Sequence, residues 1–156
     1  MEKLQPFIVQ GYCLRCQGCC RFAGEETIWE PQLLEEEKIR LAPHTRKIGL
    51  IVNSEQGNFA CQFLNQKDSR CKIYSVHPFE CQLYPFLINR QGKRVFLAVD
   101  LRCPYMKENT HLAQYKDYCA YLKSFFNSSD VKKTLKENPQ LIQSYENVLD
   151  IFEIAL

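Results

Sequence analysis

The chain has 156 residues, 46% of them hydrophobic, enough for one domain with its own core and too few for two full-sized domains. Lysine and arginine number 20 against 18 acidic residues, a formal charge of +2, so no strong field draws the protein to nucleic acid or an anionic membrane surface. No apolar run approaches the roughly 20 residues that span a bilayer, the first residues lack a signal-peptide core, and the expected location is cytoplasmic.

In a reducing compartment, clustered cysteines point to metal or redox chemistry before structural disulfides, and this chain has 9. Four of them, Cys13, Cys16, Cys19 and Cys20, fall in "GYCLRCQGCCRF", which reads as a loop. A C-x-x-C turn directs two sulfurs to one side and frees amide hydrogens toward them, and "CLRCQGCC" contains that spacing twice. Three thiols at intervals of three are how bacterial ferredoxins present iron-sulfur ligands, whereas structural zinc takes two separated pairs. Neighbouring side chains diverge in most backbone conformations, so Cys19 and Cys20 are expected to face different sites.

A helix is expected over residues 31–41, with Pro31 at its first position and the acids Glu35 to Glu37 following. The runs "KIGLIV", "FACQFL" and "RCKIYS", separated by turn signals, read as strands of a small antiparallel sheet. "FLINR" and "RVFLAVD" form a hairpin through Gln91, Gly92 and Lys93. From about residue 109 the spacing turns helical, with Leu112, Tyr115, Cys119, Leu122 and Phe126 on one face. A second helix starts near Ser129, and a third follows "NPQ" with Leu141, Ile142, Tyr145, Val148, Leu149, Phe152 and Ile154. The fold class is α+β: a loop-rich antiparallel sheet around a cysteine-ligated metal site, with C-terminal helices. Residues 1–156 make one domain, 13–103 being the metal-binding core and 109–156 the helices.

Cys61 alternates with Phe59 and Phe63 as a strand residue would, while Cys71, Cys81 and Cys103 each sit beside a turn or proline, where ligands are displayed. Cys119 shares the apolar helix face and reads as core. The remaining eight cysteines fill two four-thiolate sites, or one site with reserve ligands, and Arg15, Arg21, Lys72 and Arg102 stand beside them to offset thiolate charge. Pro78 and Pro85 bracket "FECQLY" and hold Cys81 on a short rigid turn. His77 is a candidate donor near that turn, whereas His44 and His111 read as surface residues. Tyr74 and Tyr84 read as packing groups without a catalytic role, Phe125 and Phe126 as helix packing, and the runs at Glu25 and Glu35 as solvated faces.

The succession "CLRCQGCC", "CQFL" and "RCKIYSVHPFECQLYPF" resembles the YkgJ-like cysteine-cluster family, the zinc- or iron-chelating CxxCxxCC domain related to flagellin lysine-N-methylase. The resemblance covers about residues 13–103 and implies Cys13, Cys16, Cys19, Cys20, Cys61, Cys71 and Cys81 as ligands, with Cys103 after them. Gln17, His77 and Gln82 depart from the family's usual glycine and arginines. The relation to the methylase implies an iron-sulfur cluster associated with methyl transfer to lysine from S-adenosylmethionine; the cofactor expected here is an iron-sulfur cluster, 4Fe-4S first, or zinc. The chain has no G-x-G-x-x-G and only 6 glycines, so no nucleotide-binding fold is evident. The expectation is a metal-binding protein holding an iron-sulfur cluster or zinc; the alternative is a zinc-stabilised structural or interaction module without catalysis. Its partner is the metal ion or cluster, with no nucleic acid and no membrane, and a protein partner is left open.

Overall fold

A computed structural model describes residues 4–8, 10–16, 18–44, 49–53, 58–68 and 70–156. The chain divides into two compact units, one of Ile8–Cys81 and one of Met1–Phe7 with Gln82–Leu156. Both have an antiparallel three-stranded sheet with helices, so the α+β class holds.

In the Ile8–Cys81 unit the cysteine-rich segment is not a loop. It forms helix α1 (Gln10–Cys16), a 3-10 turn at Gly18–Cys20 and the short strand β1 (Arg21–Phe22). Helix α2 is Glu35–Leu41, shorter than the span expected from Pro31. The reason lies in its cap: Leu34 is extended, and the Glu37 carboxylate accepts a hydrogen bond from its amide at 2.9 Å. Three acids in the first turn favour the helix dipole there.

Strands β2 (Ile51–Asn53) and β3 (Phe59–Cys61) complete a sheet of order β1-β3-β2. Ile51 stands opposite Cys61, and Arg21 opposite Ala60. Only part of "KIGLIV" is therefore strand, and its Lys47 and Ile48 lie outside the described residues. The third expected strand, "RCKIYS", is absent: Cys71 makes a single bridge to Leu64, and Tyr74–Val76 is a 3-10 turn. Two turn-forming stretches so close together leave no room for a ladder. One core cluster of this unit is Leu41, Leu50, Phe63 and Ile73, with Leu33, Cys61 and Cys71 packed against it; Ile8, Leu34, Ile51, Ala60, Leu64 and Phe79 are buried as well.

Helix α3 (Phe79–Leu83) carries the chain out of that unit. In the second unit the expected hairpin is present as β4 (Phe86–Gln91) and β5 (Arg94–Val99). Its tight turn places Gly92 at φ 59, the left-handed region that glycine enters without a Cβ clash. The helix expected from about residue 109 is α5 (Ala113–Asn127), which begins four residues later, and a further helix α4 (Pro104–Asn109) precedes it. Leu122, Phe125 and Phe126 are buried as packing residues. Helix α6 (Ser129–Glu137) starts where expected, with the Ser128 hydroxyl accepting from the Val131 amide at 3.4 Å.

The third expected helix is instead strand β6 (Leu149–Glu153), antiparallel to β5, with Phe96 opposite Glu153. The apolar spacing of residues 141–154 suits a helix, but Asn147 at φ 58 interrupts any helical path, and β5 offers an unpaired edge. Residues near the start of the chain also belong to this unit. Phe7 packs against Tyr118 and Tyr105 at centroid distances of 4.9 and 5.8 Å, and the Gln5 amide donates to the Tyr121 hydroxyl at 3.2 Å. Among the described residues no helix is long and apolar enough to cross a membrane.

Candidate metal centre

Seven of the eight expected ligands belong to the Ile8–Cys81 unit. Cys13 and Cys16 lie on α1, one helical turn apart and thus on one face. Cys19 and Cys20 form the 3-10 turn, Cys61 ends β3, Cys71 makes the isolated bridge, and Cys81 lies within α3. All are free thiols.

Cys61 and Cys71 occupy turns that aim amides at sulfur. Burial pushes the Cys61 thiol up to about 12, against which the amides of Phe63 and Leu64, two and three residues on, donate to its sulfur. Burial also raises Cys71, and the Ile73 amide, again two residues on, donates to it. The segment between them is closed by the Asn65 amide on the Arg70 carbonyl and the Lys72 amide on the Phe63 carbonyl, each at 2.8 Å. An amide aimed at sulfur stabilises the thiolate, the form that binds metal.

Cys19 and Cys20 do not diverge. Their thiols share a hydrogen bond that raises Cys19 and lowers Cys20. In an extended strand neighbours would point to opposite faces; the 3-10 turn removes that alternation. Arg21 stabilises the Cys20 thiolate further, as its place in the sequence suggested. Negative charge on Cys20 in turn disfavours ionisation of Cys61, Cys71 and Cys81. Burial is the largest cause of the raised Cys81 thiol, followed by Cys61, Cys20, Cys71 and Glu80.

Among the described residues no three cysteine, histidine, aspartate or glutamate side chains converge as a formed coordination sphere. The donor set nevertheless fits a thiophilic metal or an iron-sulfur cluster: thiols close enough to feel one another's charge, two of them in turns with sulfur-directed amides, and a cation beside Cys20.

Tyr74 borders the thiols, its hydroxyl raised by burial first and then by Cys13, Cys71 and Cys19. The His77 ring stacks on it at 4.8 Å, and His77 Nδ1 bonds the Tyr74 carbonyl, which ties the histidine to the 3-10 turn. His44 and His111 are exposed, as expected.

The acidic residues depart furthest from the sequence reading. Glu25, Glu26, Glu35 and Glu36 are exposed, but Glu37 is only 4% accessible. Its Oε1 accepts from the amide of Phe79, the first residue of α3, at 2.6 Å, and Arg40 stands 3.7 Å away. Glu80 Oε2 accepts from the Gln32 amide at 2.6 Å, and burial pushes its carboxyl up to about 8. Glu30 Oε1 accepts from the amides of Leu50 and Ile51. Only the L-x-x-E spacing before α2 hinted at such a role.

Two cysteines lie in the other unit. Cys103 is buried at the N-cap of α4, its amide bonded to the Asp100 carbonyl at 3.2 Å. Buried Asp100 accepts from the Tyr84 hydroxyl and from Arg102, so this arginine pairs with a carboxylate in its own unit. Cys119 is half-buried on α5 beside Tyr115, as a packing residue would be.

A family model described as "CxxCxxCC: Putative zinc- or iron-chelating domain" matches residues 12–120. An uncharacterized protein of Methanocaldococcus jannaschii, MJ0661, is 24% identical over 98 residues, which cover 58% of this chain and 52% of that protein. The chain thus spans about half the length of that curated relative. No solved structure matches the chain.

Proposed function

The chain belongs to the CxxCxxCC family of zinc- or iron-chelating domains, and from that premise we propose that it holds an iron-sulfur cluster, 4Fe-4S, on thiols of the Ile8–Cys81 unit. Ligands are drawn from Cys13, Cys16, Cys19, Cys20, Cys61, Cys71 and Cys81, while Cys103, in the other unit, has no part in this reading. The observation that carries it is the pair of turns in which the amides of Phe63, Leu64 and Ile73 donate to the sulfurs of Cys61 and Cys71. Hydrogen bonds of that kind partly neutralise cysteinate charge and set the potential of a bound cluster. Such a cluster supplies electron transfer or supports modification chemistry. The chain's own residues supply thiolates, orient them through the 3-10 turn and the knuckle-like turns, and place Arg21 against the accumulated charge.

A second reading, a zinc-stabilised module without catalysis, is favoured by the packing of Cys61 and Cys71 directly against buried Leu41, Leu50, Phe63 and Ile73. Metal would there tie together a unit whose sheet strands run only two or three residues.

One experiment separates the two. The protein is purified without oxygen, and iron, acid-labile sulfide, zinc and visible absorption are measured. Iron and sulfide in equal amounts with broad visible absorption are expected. Colourless protein with stoichiometric zinc and no sulfide selects the second reading. Metal-free protein with accessible thiols defeats both. Replacing Cys61, Cys71 or Cys81 singly by serine lowers metal content, whereas Cys119→Ser and Cys103→Ser leave it unchanged.

A further inference from the structure

Two helices in the Ile8–Cys81 unit cap one another across the sequence. Glu37 of α2 gives one carboxylate oxygen to the amide of its own N-cap, Leu34, and the other to Phe79, where α3 begins. Glu80 of α3 returns a bond to Gln32, in the segment leading into α2. The same segment starts at Glu30, whose carboxylate accepts from Leu50 and Ile51. Ile51 is the register partner of Cys61, and the Gln62 amide bonds the Leu50 carbonyl at 2.8 Å. Cys81 follows Glu80 directly. A continuous path of carboxylate-to-amide bonds therefore runs from the strand paired with Cys61, through residues 30–37, to the helix that carries Cys81.

We propose that Glu37 and Glu80 are positioning residues: their reciprocal caps fix Cys81 relative to Cys61 before any metal arrives. The inference rests on the metal-binding reading for its purpose, but the lock itself is a property of the metal-free chain. Each bond joins a carboxyl group to a backbone amide, so it orders backbone, and two run in opposite directions between α3 and the stretch of α2 with the segment leading into it. Without them α3, of 5 residues, has too few internal hydrogen bonds to hold its place.

The test uses the full chain and two readouts. The first is the alkylation rate of Cys81 in metal-free protein, with the exposed Cys16 as internal control. The second is zinc affinity by competition with a chelator. Glu80→Gln keeps an oxygen for the Gln32 amide, whereas Glu80→Ala does not. Both remove the ionisable carboxyl, so its titration does not enter their difference, which reads the loss of the accepting oxygen. Glu80→Ala is expected to alkylate at Cys81 about tenfold faster than Glu80→Gln, with Cys16 unchanged, and to bind zinc about tenfold more weakly. Glu37→Ala is expected to resemble Glu80→Ala. Equal behaviour of the two Glu80 variants in both readouts overturns the lock, whether or not Glu37→Ala folds. If the parent protein takes up no metal while Cys81 still follows the expected order, the lock stands and the metal reading falls.

Discussion

Cys19 and Cys20, adjacent in sequence, are joined by a hydrogen bond between their thiols, with Cys19 the donor. That bond is the largest cause of the lowered Cys20 thiol. Cys19→Ala removes the donor and should raise the Cys20 midpoint in metal-free protein by about one pH unit, the equivalent of a hydrogen bond to a charged group. The pH dependence of alkylation at Cys20 measures it. A midpoint that does not move would show that Arg21 alone sets the ionisation.

Gly49 stands at φ 95, and a Cβ there would come within 3.1 Å of Glu30 Oε1. Gly49→Ala therefore both forces a side chain into the left-handed region and pushes away the carboxylate that holds Leu50 and Ile51. A loss of about 1–3 kcal/mol is expected in denaturant unfolding. Glu30→Ala, combined with it, should add less than it costs alone, because both act on the same contact.

Stability of the metal-free protein should fall as pH rises. Glu80 keeps its proton up to about 8 in the fold, against an ordinary value of 4.5, and burial raises buried Glu37 in the same direction. Between those values the folded state binds more protons than the unfolded chain, so unfolding free energy declines, at most by about 1.4 kcal/mol per pH unit for each group. The raised Cys61, Cys71 and Cys81 thiols act likewise above the ordinary thiol value of 9.0. Urea midpoints in chelator measure the trend, and Glu80→Gln should flatten its acidic part. With metal bound the sign reverses at the thiols, since binding requires them deprotonated.

Chelation should loosen the two units unequally. The Met1–Phe7 with Gln82–Leu156 unit contains the six-residue β4–β5 ladder and a core including Phe86, Leu97 and Phe126 without any candidate ligand from the other unit. Amide exchange in β5 and α5 is expected to change less than threefold on metal removal, while β3 and α1 lose about tenfold or more of their protection. Equal loss in both would mean that the metal stabilises the whole chain as one cooperative body.

Membership of a zinc- or iron-chelating family was legible because C-x-x-C spacing is a local signal, and so was the hairpin around Gly92, which needs only a turn residue between two apolar runs. Strand β6 was not, because spacing alone does not separate a helix face from a strand that finds an open edge on β5. The roles of Glu37 and Glu80 escaped for a related reason. Their partners, Phe79 and Gln32, lie 42 and 48 residues away, and a carboxylate looks solvated until the fold brings an amide to it. The closeness of Cys19 and Cys20 depended on a 3-10 turn that their neighbours do not announce.

Phe7 and Phe86 face each other edge to face at 6.0 Å, both within the second unit. The polypeptide thus departs toward its cysteines and comes back at neighbouring points of one scaffold. Contacts inside the second unit therefore hold the two ends of the cysteine-bearing stretch close together, so its closure as a loop costs the chain no entropy beyond what that packing has already fixed.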